Sequence, residues 1–215
     1  MKNGPLFFLG LLAAVAISWA GIVLGSHAQL GELPPYFDQV EGQIYPRRPG
    51  GLAARGQLVY ADLGCAACHT QQVRRPDFGS DKARGWGDRQ SVARDYIHQS
   101  RPQLGASRVG PDLANVGARW EKTENAAAGL HQLLYQGSSA HPNYSFLYEE
   151  DAMVGERSAL ALNLSGVNAP APGFQVVPSE RAQTLVAYLL SLKTTYDFPE
   201  SVPVAAPKKS QETKK

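Results

Sequence analysis

The pentapeptide Cys65-Ala66-Ala67-Cys68-His69 decides the fold of this chain. It has the C-x-x-C-H pattern of c-type haem attachment, in which each thiol adds to one haem vinyl group. The spacer of two residues suits this chemistry because one turn of chain lets both thiols reach the same porphyrin. The pattern predicts one covalently bound haem c on Cys65 and Cys68, with His69 as an axial ligand of the iron.

A C-x-x-C pair also occurs in redox dithiol sites and in zinc sites. The chain has only two cysteines, which excludes a four-cysteine zinc site and a scaffold built from disulfides. A redox dithiol needs a βαβ context, and the sequence predicts none before Cys65. Haem attachment is therefore the favoured interpretation of the pair.

Two helices are predicted on either side of this motif. Residues 51–63 have a helix-compatible apolar pattern with Gly56 near its middle. A second helix is predicted from Pro178 to Lys193, with Pro178 at its first position and Glu180 in its first turn. Gly56 would let the two helices cross closely. The second helix carries an apolar stripe formed by Leu185, Val186, Leu189 and Leu192.

Residues 1–25 are predicted to form a transmembrane anchor. No charged side chain occurs in residues 5–24, and twenty helical residues rise about 30 Å, the thickness of the bilayer core. Cleaved signal peptides have shorter apolar runs of about 7–15 residues, although Ser26-His27-Ala28 leaves cleavage as the alternative. Lys2 precedes the span and no Lys or Arg follows before Arg47, so the rest of the chain is expected outside the cytoplasmic membrane.

Composition divides the remaining chain into three parts. Residues 26–50 are predicted to be a stalk or linker, because their prolines and glycines oppose regular structure. Residues 51–198 are the expected haem domain, and residues 199–215 are an expected disordered tail. The 215 residues are 43% hydrophobic and 19% charged, which excludes wholesale disorder. The net charge of +2 argues against a nucleic-acid partner.

Further stretches accompany the haem motif, namely Gly85-Trp86-Gly87, residues 91–96, residues 110–117 and residues 185–192. Together with the N-terminal span they resemble class I cytochromes c and, more narrowly, the membrane-anchored mono-haem subunit (subunit II) of cbb3-type cytochrome c oxidases. The resemblance implies a mainly α, class I cytochrome c-like domain with long loops after one transmembrane helix. It also implies that the Pro111 carbonyl accepts a hydrogen bond from His69, although Gly-Pro-Asp is equally a plain turn.

The sequence departs from this family at the second axial ligand. His141-Pro142-Asn143-Tyr144 stands where the family has Met-Pro-x-Tyr. Three alternatives follow: His141 binds the iron, Met153 binds it, or the iron is five-coordinate. Position favours His141, and a second histidine predicts a lower redox potential than methionine gives. Solvated or packing roles are expected for the other histidines, His27, His98 and His131.

Charge is unevenly distributed along the expected haem domain. Residues 70–119 hold nine basic and five acidic side chains, whereas residues 120–160 hold two basic and six acidic ones. This asymmetry is an expected aid to docking of another redox protein. Residues 143–177 form an insert that is either ordered or a flexible loop. Candidate partners for the haem propionates are Arg74, Arg84, Arg108 and Arg119.

The resemblance implies a respiratory function. The chain would relay single electrons from a donor c-type cytochrome to the catalytic subunit of a haem–copper oxidase, and would not itself reduce oxygen. Its expected partners are the oxidase subunits, that donor and the lipid bilayer. It would cross the bacterial cytoplasmic (inner) membrane once, with the haem domain on the periplasmic side. The alternatives are the cytochrome c subunit of nitric oxide reductase, a free anchored electron carrier and a haem sensor with an open site.

Overall fold

The computed structural model describes residues 3–202. Most of the tail that was predicted to be disordered, residues 203–215, lies outside the described residues. The described residues form two compact units, residues 3–46 with 92–100, and residues 47–91 with 101–202. Helical residues outnumber strand residues in both units, which agrees with the mainly α class, while the class I cytochrome c-like arrangement stays a prediction.

The first unit begins with one continuous helix from Gly4 to Leu30. It comprises α1 (Gly4–Trp19), a π-helical segment (Ala20–Leu24) and α2 (Gly25–Leu30). The helix is long and apolar enough to cross a membrane, and none of its apolar side chains is buried in the protein. An apolar surface on every side suits a lipid environment. The helix thus supports a membrane anchor, and it continues five residues beyond the predicted limit.

A β-hairpin occupies part of the segment that was predicted to be an irregular stalk. Strands β1 (Tyr36–Asp38) and β2 (Gln43–Tyr45) pair antiparallel, with Phe37 opposite Ile44. The Asp38 carboxylate accepts hydrogen bonds from the backbone N–H groups of Val40 and Glu41. The polar and glycine residues of this segment form the turn of a hairpin. They therefore connect two strands, whereas the sequence predicts that they oppose regular structure.

Residues 92–100 belong to this first unit although they were predicted within the haem domain. They include a 3-10 turn, Ala93–Tyr96. The Arg94 guanidinium donates to the Pro34 carbonyl. The His98 ring nitrogen Nε2 lies 3.0 Å from the Pro46 carbonyl oxygen. Both contacts join residues that are more than 50 positions apart in the sequence, so local composition could not predict them.

The second unit is centred on two crossing helices, α3 (Gly51–Asp62) and α6 (Glu180–Ser191). A Cβ atom on Gly56 would overlap the Thr184 carbonyl, so only glycine permits this approach. Next to the crossing, the rings of Tyr60 and Tyr188 meet edge to face with centroids 5.4 Å apart. The predicted close crossing at Gly56 is confirmed.

The start of α6 differs from the prediction. Pro178 is the last residue of a strand, and Ser179 is the N-cap, whose hydroxyl accepts a hydrogen bond from Ala182 N–H. The helix begins after Ser179 because the serine side chain satisfies an N–H group that the first turn leaves free, and Pro178 therefore precedes the helix. Glu180 occupies the first turn as predicted. The buried part of the predicted stripe comprises Leu185, Val186 and Leu189.

Two short helices and a second hairpin complete this unit. The helices are α4 (Val116–Trp120) and α5 (Ala126–Gln136), and the hairpin pairs β3 (Tyr148–Ala152) with β4 (Phe174–Pro178). The connection between the strands returns to the core at Leu162, which is buried and donates its N–H to the Val176 carbonyl. The insert at residues 143–177 is therefore ordered, with strands that the sequence reading did not predict.

Candidate haem site

The two cysteines lie on a tight turn directly after α3. Gly64 has a left-handed backbone (φ 70°), which ends the helix and starts a 3-10 turn at Cys65–Ala67. The Cys65 carbonyl accepts hydrogen bonds from the N–H groups of Cys68 (3.2 Å) and His69 (3.0 Å). Both thiols are free, with Cys65 half-buried and Cys68 exposed. One turn of chain thus carries both thiols and the histidine.

The environment of Cys65 argues against a redox dithiol. Burial raises the pKa of the Cys65 thiol to about 11, although a hydrogen bond with the Tyr144 side chain acts in the opposite direction. Redox-active cysteines have a lowered pKa, because the thiolate is the reactive form. A thioether carries no charge and tolerates a half-buried position, so this environment suits haem attachment.

The His69 ring is held by the loop that precedes α4. Its Nδ1–H donates to the Pro111 carbonyl over 2.8 Å, the contact that the resemblance implies. A Cβ atom on Gly110 would overlap the His69 ring, and Gly110 N–H donates to the Cys68 carbonyl over 2.9 Å. With Nδ1 engaged, Nε2 is the nitrogen that remains for a metal, and the bond to Pro111 fixes this tautomer.

Asp112 fastens this loop to the segment after His69. Its fully buried carboxylate accepts hydrogen bonds from the Thr70 hydroxyl (2.6 Å), Gln72 N–H (2.8 Å) and Ala114 N–H (2.9 Å). The sequence reading did not assign Asp112 a role. The available signal was its place after Gly-Pro, because aspartate at a turn commonly accepts a bond from the N–H two residues later.

Two of the arginines considered for the propionates are engaged in this same network. Arg108 donates to the nearly buried Asp81 carboxylate (2.5 Å) and to the Gln72 carbonyl (2.6 Å). Arg119 donates to the Asp112 carbonyl over 2.6 Å. Burial alone would raise the pKa of Asp81, but the Arg108 bond and other local contacts lower it below its ordinary value. Propionate pairing by any of the four arginines stays a prediction.

His141 faces His69 across the site. The centroids of the two rings are 6.2 Å apart, with 45° between the ring planes. A bond between a metal and an imidazole nitrogen is about 2 Å long, so one metal ion between two imidazoles separates the ring centres by about 6 Å. Burial lowers the pKa of the His141 ring, which favours the neutral form that binds metals.

The His141 ring also has a buried nitrogen, Nδ1, with no hydrogen-bond partner among the described residues. Buried polar atoms are usually paired, so an unpaired one needs an explanation. A cofactor held between the His69 and His141 rings would supply it. The two thiols, the ring spacing and this atom together fit a haem between His69 and His141.

Met153, the alternative ligand, lies on the second hairpin. Its N–H donates to the Gly173 carbonyl over 2.8 Å, and its side chain is 40% exposed. It borders a surface groove of the hairpin that Leu162 and Phe174 also line. The ring contact of His69 is instead with His141, so the geometry favours the histidine.

The remaining histidines have other surroundings. His131 Nδ1 lies 3.0 Å from the Tyr148 hydroxyl, and burial lowers the pKa of the ring to about 4. His98 contacts the Pro46 carbonyl, and His27 lies on α2. In the part of the chain that the structure describes, no group of three or more His, Cys, Asp or Glu side chains could hold a separate metal ion.

Comparison with known proteins identifies a family. The family model described as "Cytochrome C oxidase, mono-heme subunit/FixO" matches residues 5–172. No curated protein matches the chain. The matched range is well over half of the 215 residues and contains the apolar helix, the cysteine turn, the Pro111 loop and His141. The resemblance to a mono-haem oxidase subunit is thereby confirmed.

Proposed function

Because this chain belongs to the FixO family of mono-haem cytochrome c oxidase subunits, we propose that it relays single electrons to the catalytic subunit of a cbb3-type haem–copper oxidase. The observation that carries the proposal is the pairing of the Cys65–His69 turn with the His141 ring 6.2 Å from the His69 ring. This arrangement would offer two thiols for attachment and two imidazole rings for the iron of one haem c. Such a site can change its charge by one electron while its ligands stay in place.

The roles of the residues follow from their positions. Cys65 and Cys68 would hold the haem covalently, and His69 and His141 would bind the iron from opposite sides. When bound, the haem supplies a reversible one-electron change between ferrous and ferric iron. The chain would orient it through the bond between His69 and the Pro111 carbonyl, and would set its potential through the two histidines.

The choice of His141 over methionine has an electronic consequence. Methionine on haem iron raises the potential relative to a second histidine. With His141 as ligand, the haem of this chain would therefore have a lower midpoint potential than the haem of methionine-ligated relatives. That lower potential makes transfer onward to the oxidase more favourable and reduction by a weak donor less favourable.

The proposed location combines the anchor with flanking charge. The Gly4–Leu30 helix suits a single span of the bacterial inner membrane. Lys2 before the helix and the absence of Lys and Arg from its end to residue 46 favour a haem domain on the periplasmic side. There it would meet a donor c-type cytochrome and the other oxidase subunits.

The test is a reduced-minus-oxidised visible spectrum of the tagged full-length protein, gently purified from its own membranes. We expect a haem c band accompanied by haem b bands, in a complex that consumes oxygen. A haem stain after denaturing electrophoresis checks covalent attachment, with the Cys65→Ser/Cys68→Ser variant as control. A c band without oxidase subunits would contradict the proposed partner and favour a free carrier or sensor. A chain without any c band would refute the haem itself.

A further inference from the structure

A row of aromatic rings leads from the candidate iron ligand to the protein surface. The His141 and Tyr144 rings have centroids 5.9 Å apart, and Tyr144 is followed by Phe146 at 6.0 Å. The Phe146 side chain is 69% exposed, although it is large and apolar. The Tyr144 side chain also forms a hydrogen bond with Cys65. The row therefore touches the proposed haem through both an axial ligand and an attachment sulfur.

Three acidic side chains follow the outer end of this row within five residues of the sequence. Strand β3 begins two residues after Phe146 and carries Glu149, Glu150 and Asp151, all three exposed. None of the three forms a salt bridge with a described residue. Leu147 and Tyr148, between the ring and the acids, are buried. We call the exposed group, Phe146 with residues 149–151, the Phe146 patch.

We propose that the Phe146 patch is the surface on which a soluble electron-donor protein with a lysine-rich face docks. One electron would leave the reduced metal cofactor of that donor, which is oxidised, and reduce the haem iron from ferric to ferrous. This inference rests on the proposed function, because it needs a haem next to His141. It adds the place of electron entry and the charge of the partner.

The composition of the patch favours a transient partner over a permanent subunit. Permanent interfaces are large and bury extensive apolar surface, whereas short-lived redox encounters are small and use opposite charge to speed association. The patch offers one exposed apolar ring followed by three exposed carboxylates, of which Glu149 and Asp151 share one face of strand β3. An aromatic ring is a common energetic centre of an interface, and the carboxylates would attract and orient a basic face.

The proposal can be tested on the full-length haem-loaded protein with two small oxidants of opposite charge. The reduced protein is mixed with tris(phenanthroline)cobalt(III), an aromatic trivalent cation, or with ferricyanide, a trivalent anion. In each reaction one electron leaves the protein and reduces Co(III) to Co(II) or Fe(III) to Fe(II) in the reagent. Stopped-flow absorbance at the haem c band gives the two rates at low salt.

Two variants separate charge from the aromatic contact. E149Q/E150Q should slow the cobalt reaction about threefold and leave ferricyanide equally fast or faster, because charge steers encounter. Phe146→Leu keeps an apolar side chain but removes the ring, and should slow only the cobalt reaction, about fivefold. E32Q/E124Q is the matched control. It makes the same change in net charge outside the patch. Glu124 precedes the first residue of α5, whereas Tyr144 of the aromatic row is bonded to Leu134 near the last residue of that helix. The control charge is therefore at the opposite end of α5 from the row.

The outcomes distinguish failure of the docking surface from failure of the haem. Absence of a c band in the wild-type protein refutes the proposed function and this inference with it. With an intact c band and an unchanged midpoint potential, equal effects of E149Q/E150Q and E32Q/E124Q overturn the inference alone. Polylysine provides a basic macromolecule: it should slow the cobalt reaction of the wild type and not that of E149Q/E150Q. If the purified oxidase complex loses these effects, another subunit covers the patch and the proposal is wrong.

Discussion

The two sides of the haem site are held in different ways. On the His69 side, Nδ1 bonds to Pro111, and the buried Asp112 carboxylate ties the loop to Thr70 and Gln72. On the His141 side, the loop is held mainly by backbone bonds, such as Ser138 N–H to the His141 carbonyl (2.8 Å) and Tyr144 N–H to the Leu134 carbonyl (2.7 Å). The His141 ring itself has a nitrogen without a partner.

This difference indicates where the chemistry of the site can change. A histidine whose tautomer and orientation are fixed by a network cannot be replaced without dismantling its surroundings. A ligand on a loop closed by backbone bonds can be exchanged for another donor, because the loop does not depend on the side chain. His141 stands at the position where the family motif has methionine. That position lies on the side where an exchange of side chain breaks none of the backbone hydrogen bonds that hold the loop.

The largest expected effect separates the two sides directly. His69→Ala should abolish stable haem incorporation, because it removes the proposed iron ligand next to the two proposed attachment cysteines. His141→Ala should keep the covalent haem and open one iron position. Carbon monoxide binding to the reduced protein, followed by its visible spectrum, measures the open position. Strong carbon monoxide binding by the wild type, equal to that of His141→Ala, would show that His141 is not a ligand.

His141→Met should raise the midpoint potential while leaving the fold intact. Because axial ligands tune haem potentials over a range of about 0.8 V, and methionine favours the ferrous state, we expect a rise on the order of 0.1 V. Redox titration at the haem c band gives the potential, and a near-infrared iron–sulfur charge-transfer band would confirm the new ligand. Met153→Leu is the matched control and should change neither property. An unchanged potential in His141→Met would contradict the contrast between the two sides.

Sequence reasoning was most successful where one local pattern determines the structure. The C-x-x-C-H turn, the helix around Gly56 and the apolar span each follow from short-range chemistry, and each is present in the structure. The close crossing at Gly56 could be predicted because a residue without Cβ in a helix calls for a packing explanation. The family match then confirms the resemblance that these motifs carried.

The missed features depend on contacts between distant residues. Because proline suits a first helical turn, the sequence predicts Pro178 in α6, but pairing of β3 with β4 extends the strand to that residue. The pairing of Asp81 with Arg108 joins residues 27 positions apart, which no periodic pattern reveals. His141 could be proposed only by its place in a family motif, because its proximity to His69 arises from the tertiary fold.

A smaller effect is expected from Asp112→Asn. The carboxylate accepts three hydrogen bonds in full burial, and an amide can accept on only one of its two polar atoms. The free energy of unfolding should fall by about 2–3 kcal/mol, as measured by denaturant titration. The midpoint potential should also rise, because a loosened Pro111 bond makes the His69 imidazole a weaker electron donor. Glu124→Gln, on an exposed carboxylate, is the control. Loss of stability with no change in potential would show that Asp112 does not act through His69.

The smallest effect is expected at Asp81, one step further from the ligand. Asp81→Asn leaves Arg108 its bond to the Gln72 carbonyl, so the loss should be about 1–2 kcal/mol at neutral pH. Because the native pKa of Asp81 is lowered, its stabilising effect is complete above the ordinary value of 3.8 and is lost as the pH falls through the native pKa. The difference in the free energy of unfolding between wild type and variant should therefore shrink below pH 3.8. A difference that stays constant with pH would mean that the charge of Asp81 does not hold Arg108. Since Asp81 bonds to Arg108 and to the Arg74 N–H, and not to the Pro111 loop that holds His69, the potential should move less than in Asp112→Asn. A graded fall in effect from His69 through Asp112 to Asp81 is what a hydrogen-bond network centred on His69 requires.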